Sequence, residues 1–147
     1  MSTRTPRRAA ASVEEALERL RARGGRLTIS RRLLLEALFE ADGHRTAEQL
    51  ALEVQARAPD VHMSTIYRNL EELESLGVVV HAHLGHGPAT YHLTPVGHGH
   101  LVCEACGQAL EAPEALFRGL ARTAKSRFGF IIDPHHFAVL GRCRRCT

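Results

Sequence analysis

The sequence predicts an α+β protein: an N-terminal winged helix-turn-helix domain, then a smaller C-terminal α/β domain held by a structural zinc. Three observations lead there. Four amphipathic helical stretches run directly into two short strand-like segments. A stretch bearing Pro and Gly, T-P-V-G-H-G-H, interrupts the pattern. Beyond it, two C-x-x-C pairs bracket strands and one further helix.

Taken in order, residues 1–11 are small and basic and read as a disordered tail. A winged-helix domain is expected over 12–93, a hinge over 94–98, and a metal-binding domain over 99–147. Ser12 with Glu15 has capping-box form, Val13, Ala16, Leu17 and Leu20 share a helical face, and Gly24-Gly25 stop that helix. Thr28 or Ser30 opens a second helix, with Leu33, Leu34, Ala37 and Leu38 inward, ending near Asp42-Gly43. Thr46 caps a third, which ends before Pro59. Ser64 is expected to cap a fourth, with Ile66, Leu70, Leu73 and Leu76 buried and Gly77 as its stop. V-V-V-H-A-H-L and A-T-Y-H-L flank the turn G-H-G-P as a hairpin, the wing. After the hinge, H-L-V-C and A-L-E-A read as strands. Pro113 opens a helix through Leu116, Leu120 and Ala124 to Phe128, and F-I-I and H-F-A-V-L read as closing strands.

Composition narrows the function classes. The chain has 147 residues, a net charge of +3 with histidine neutral, and no Trp, so aromatic stacking on single-stranded nucleic acid is disfavoured. Residues 1–93 carry 12 Arg against 12 acidic residues. Any DNA contact must therefore come from individually placed arginines. No run approaches the ~18 apolar residues of a membrane span, and the basic start lacks a signal-peptide core. The expected location is the cytoplasm, where four cysteines point to metal or redox chemistry rather than disulfides.

Cys103-Glu-Ala-Cys106 and Cys143-Arg-Arg-Cys146 are separated by 36 residues. Two such pairs supply four thiolates in a tetrahedron, which suits a closed, structural zinc site. Arg142, Arg144 and Arg145 would favour thiolate there. A dithiol redox centre would account for one pair and leave the other unused.

All ten histidines lie between residues 44 and 136. His98 and His100 alternate in an extended segment and so can point the same way. His92 is on the preceding strand, His44 at a helix-helix turn that can fold back, and Glu111 on the following strand. Together these form a candidate regulatory metal site bridging the hinge, with a donor set suited to nickel, zinc, copper or ferrous iron. His81 and His83 on the wing, His86 at its turn, and His135 and His136 near the C-terminus form a second cluster, either a further site or a solvated wing.

The segment S-T-I-Y-R-N-L places Thr65, Tyr67, Arg68 and Asn69 off the apolar stripe, near a helix start that can enter a major groove. Arg68 suits phosphate or guanine, and Tyr67 a thymine methyl or phosphate. Ser64 belongs to the same first turn, while Arg26 and Arg31 can meet phosphates or a minor groove. The bland alternative is an amphipathic helix with a solvated face.

The order G-R-L-T-I-S-R, S-T-I-Y-R-N-L-E-E-L, Y-H-L, H-G-H-L-V-C-E-A-C-G and F-A-V-L-G-R-C-R-R-C resembles the Fur family of bacterial metal-dependent repressors over nearly the whole chain after residue 12. The resemblance implies a homodimer joined through the C-terminal domain, with metal as corepressor. It implies structural zinc on Cys103, Cys106, Cys143 and Cys146, and a hinge site on His44, His92, His98 and His100 with Glu111 accessory. Gly97, Gly99 and Arg118 stand where many relatives carry ligands of a further site, so that site is expected to be missing. His92 stands where iron and peroxide sensors tend to have a carboxylate. The wing resembles the nickel-responsive branch, whose second site implies His81, His83 and His136. Nickel is therefore the first choice of regulatory metal, zinc the second, and iron or manganese the least fitting. The expected partners are a palindromic double-stranded operator and a second copy of the chain, with no membrane and no organic cofactor. An enzyme is not expected, because a metallohydrolase built on the histidines would have only Glu111 as a general base. A metal-storage role would leave the recognition helix unused.

Overall fold

The structure, a computed structural model, describes residues 10–41, 44–84, 87–93, 98–132 and 138–147, with His98 described by its backbone alone. By its contacts the chain divides into two units, Met1–His81 with Thr90–Pro95 and Ala82–Ala89 with Val96–Thr147. Among the described residues, no helix is long and apolar enough to cross a membrane.

The first unit contains helices α1 (Val13–Ala22), α2 (Ile29–Glu40), α3 (Ala47–Arg57) and α4 (Met63–Ser75). Each starts where local chemistry satisfies its free amides. The Ser12 hydroxyl accepts from the Glu15 amide, and Glu15 in turn accepts from Ala11 N rather than from the cap residue itself. Thr28, not Ser30, caps α2. Thr46 and Gln49 form a reciprocal capping box at α3. At α4 the expected cap is corrected: the helix begins at Met63 behind His62, which makes no side-chain cap bond, so Ser64 lies inside the first turn. The four apolar faces meet in one core in which Leu20, Leu34, Leu35, Leu50, Ile66, Leu70 and Leu73 are fully buried. Each such side chain contributes about 1.5–3 kcal/mol of burial.

Strands β1 (Arg45–Thr46), β2 (Val79–His83) and β3 (Ala89–Leu93) form a sheet in the order β1-β3-β2. The sequence did not predict β1, a polar pair that exists because β3 offers it an antiparallel edge, Arg45 opposite Tyr91 and Thr46 opposite Thr90.

The second unit is built on β4 (His98–Cys103), β5 (Ala109–Pro113), α5 (Glu114–Phe128) and β6 (Ala138–Gly141). The sheet order is β5-β4-β6, with β5 antiparallel and β6 parallel to the central strand. The expected F-I-I strand is not formed: residues 130–132 carry no strand, and Phe130 and Ile131 are exposed. No residue of α5 is buried, although Leu116, Leu120 and Phe128 are large and apolar. Gly99 in β4 is a close-approach position, since a Cβ there would lie 2.3 Å from Cε2 of Phe117. The α5 ring therefore rests on bare backbone.

Candidate metal centres and nucleic-acid interface

The first C-x-x-C turn leaves the end of β4. Cys103 N donates to Gln108 O, Gly107 N donates to Cys103 O, and Gly107 takes the positive φ of 74° that lets the chain reverse so tightly. The second turn follows β6, with Cys146 N donating to Cys143 O. Parallel pairing of β4 with β6 sets Cys103 opposite Gly141, and Glu104 N donates to Gly141 O. The two turns thus face each other, and Arg145 links them through Gln108 at 3.0 Å.

All four sulfurs lie within 4.8 Å of one another and none is in a disulfide. The Cys106 and Cys143 sulfurs are 3.7 Å apart. Four bonds of about 2.3 Å in a tetrahedron put neighbouring sulfurs about 3.8 Å apart, whereas a disulfide needs about 2.05 Å. The residues present therefore fit zinc. Backbone amides, first that of Cys143, pull the Cys103 thiol down to about 6, and the Arg145 amide lowers Cys143. Local backbone N–H groups favour the thiolate form of both sulfurs. Hydrogen bonds from Cys146 to Cys143 and then to Cys106 push Cys146 up to about 12.

Of the histidines expected to bind the regulatory metal, His44 and His92 lie in the first unit and His100 in the second. In the first unit β1 brings His44 beside His92, with ring centroids 4.4 Å apart in an edge-on arrangement. In the second, His100 is buried at the centre of the sheet and lies directly opposite Glu111 of β5. Strand alternation places both on the face opposite the one Gly99 presents to Phe117. The backbone of His98 lies two positions earlier in β4. The expected hinge residues 94–97 lie outside the described residues.

Of the expected wing site, His136 lies outside the described residues and His83 is exposed on β2. His81 Nδ1 sits 2.5 Å from Glu74 Oε1, near the end of α4. A carboxylate on one ring nitrogen orients an imidazole and leaves the other nitrogen to act as a ligand.

On α4, Ser64, Tyr67 and Arg68 are exposed and Thr65 is half-buried. Asn69 departs from the expected outward position: it is buried and accepts from Arg31 Nε at 3.1 Å, while its amide nitrogen donates to Ser30. Arg31 also pairs with Glu72 and donates to the carbonyl of Arg26. Its guanidinium is thus engaged within the unit, bracing α2 against α4. The Arg26 side chain is exposed. Tyr67 donates its hydroxyl proton to Glu48 of α3 at 2.9 Å. Periodicity could not have found Glu48, Glu72 or Glu74, because the contacts that give them roles are set by helix packing and by the fold of the wing.

The profile of the ferric uptake regulator family matches residues 22–140. The peroxide-responsive repressor of Staphylococcus aureus is 26% identical over 134 residues, covering 91% of this chain and 90% of that protein. The ferric uptake regulator of Pseudomonas aeruginosa, solved with manganese, is 26% identical, with a TM-score of 0.69 over 88% of this chain and 98% of that one. The ferric uptake regulator of Helicobacter pylori, which has three functional metal-binding sites, shares the fold at 19% identity, with a TM-score of 0.76 over 95% of this chain and 97% of that one.

Proposed function

Because this chain belongs to the ferric uptake regulator family, we propose that it is a cytoplasmic, dimeric repressor whose corepressor is a divalent metal held between its two units. At family level it is a metal-responsive transcriptional regulator, not an enzyme. The observation that carries the finer reading is the division of imidazoles into His44 with His92 on one unit and His100, beside Glu111, on the other. Neither pair is a complete ligand set. Together with His98, they offer a nitrogen-rich one.

In this reading Cys103, Cys106, Cys143 and Cys146 hold a structural zinc that ties the C-terminal turn to the end of β4. The regulatory cation supplies positive charge and fixed bond directions. His44 and His92 share it with His98, His100 and Glu111, which restricts the swing of the units about residues 94–98. The two α4 helices of a dimer are then held at the spacing of a palindromic operator, in a population shift. Arg68, Tyr67, Thr65 and Ser64 meet the major groove, and Arg26 a phosphate. Arg31 acts as the brace of α4. The exposed apolar face of α5, with Phe130 and Ile131, supports dimerisation through the second unit.

The resemblance of the wing to the nickel-responsive branch favours nickel first and zinc second over iron and manganese, and an imidazole-rich donor set is compatible with nickel and with zinc. His81, held by Glu74, together with His83 and His136, makes a second nickel site on the wing. The test is selection from a random duplex library by zinc-stapled dimer, with and without added nickel. An inverted-repeat motif should emerge only with nickel. A motif selected equally well without it would defeat the corepressor reading.

A further inference from the structure

We propose that Glu48 is a specificity-determining residue of the DNA-binding unit: by accepting the hydrogen bond that the Tyr67 hydroxyl donates, it makes that phenol a reader of base edges rather than a phosphate contact. This rests on the reading above that α4 meets DNA.

Glu48 is the second residue of α3, and its helix start is fixed by the Thr46–Gln49 capping box. Its own backbone amide, the Tyr67 hydroxyl and the Thr46 hydroxyl donate to its carboxylate and hold it below the usual carboxylate range. An ionised carboxylate carries no proton, so across the 2.9 Å contact the phenol must be the donor. The same bond raises the Tyr67 phenol above its ordinary value. Tyr67 is 41% exposed on α4, one residue before Arg68.

A tyrosine with a free proton readily donates to phosphate oxygens, which are the same at every sequence. Here that proton is committed to a charge-assisted bond. The oxygen keeps its lone pairs, which can accept from the exocyclic amino group of adenine or cytosine, and the ring edge can meet a thymine methyl. Both contacts depend on sequence. The fixed negative charge of Glu48 beside this face also repels phosphates and weakens binding that relies on backbone contacts alone.

The test uses full-length, zinc- and nickel-loaded protein as wild type, Glu48→Ala, Glu48→Gln, Tyr67→Phe and the double variant Glu48→Ala/Tyr67→Phe. Each is put through selection from a random duplex library, and retention of the unselected library is measured separately. Glu48→Ala should flatten the selected motif at one or two positions and raise retention of unselected duplex about fivefold. Tyr67→Phe should flatten the same positions, and the double variant no others. If Glu48→Ala selects the wild-type motif with unchanged sharpness, or loses motif and unselected binding in equal proportion, the proposal is overturned while the regulator reading stands. If wild type selects no motif, both fall. Carbon-13 NMR titration of Tyr67 provides a check independent of DNA. Its ionisation should move down towards 10 in Glu48→Gln, and an unmoved titration would remove the contact and the proposal with it.

Discussion

Replacing Gly99 by alanine should destabilise the second unit by a predictable amount. The added Cβ would stand 2.3, 2.7 and 2.9 Å from Cε2, Cδ2 and Cζ of the Phe117 ring. Three ring atoms closer than a real carbon contact cannot be relieved by turning the ring in its own plane. Either β4 shifts against its two partners or Phe117 leaves its seat. Overpacking of this kind costs about 1–3 kcal/mol, and losing the half-buried ring costs a similar amount. Urea unfolding of the zinc-loaded protein, followed in the second unit, should show a midpoint lower by about 1 M, taking a slope of about 1–3 kcal/mol per M. Phe117→Leu should recover part of the loss in the Gly99→Ala background while costing stability on its own, a coupling of at least about 0.5 kcal/mol. A midpoint unchanged in Gly99→Ala, or effects of the two substitutions that simply add, would refute the packing account of β4 and α5.

Other outcomes follow from the same geometry. Cys103→Ser should lower zinc content from one ion per chain to near none and unfold the second unit, read by metal analysis and circular dichroism, since structural zinc is worth about 10–16 kcal/mol. The pH dependence of zinc affinity, measured by chelator competition, follows the thiols. The Cys103 thiolate is favoured by the fold, so its proton competes with zinc only as pH falls through about 6, whereas the Cys146 proton competes throughout the range below about 12. Zinc binding at pH 7 should therefore release fewer than four protons per ion. His100→Ala should weaken regulatory-metal binding about 10–100-fold or more while leaving the cysteine-bound zinc in place, as metal titration would show. Arg31→Met should leave Glu72 and Asn69 without their main donor and cost about 1–3 kcal/mol of stability, visible as a lower thermal midpoint.

What was legible in the sequence had repeated, local causes. The helices were readable because apolar residues recur at helical spacing within each, as Ala16, Leu17 and Leu20 do in α1 and Ile66, Leu70 and Leu73 in α4. The convergence of the four cysteines was readable because two C-x-x-C turns suit one closed metal site. The expected pairing of His44 with His92 was partly readable, but its cause was not: β1 is two polar residues with no strand pattern of their own, formed because β3 has an edge to pair. Asn69 was misplaced because periodicity counts only apolar burial, and this amide is buried to hold Arg31 and Ser30. Ser64 has the chemistry of a cap, yet the helix starts a residue earlier, at Met63. Phe130 and Ile131 look like strand residues, but no neighbouring strand receives them among the described residues. The Gly99–Phe117 seat and the Glu48–Tyr67 bond join positions on separate elements, which a single sequence does not pair.

The most direct test measures the affinity of a selected operator duplex for the zinc-stapled dimer, by fluorescence anisotropy, while free nickel, zinc, manganese and ferrous iron are buffered in turn. A coupling of about 1–3 kcal/mol corresponds to operator binding tightened about 5–150-fold by the regulatory metal. Nickel should act at the lowest free concentration, and His44→Ala and His100→Ala should each abolish the response without loss of structural zinc. Equal operator affinity in the presence and absence of every regulatory metal, with the cysteine site full throughout, would contradict the account.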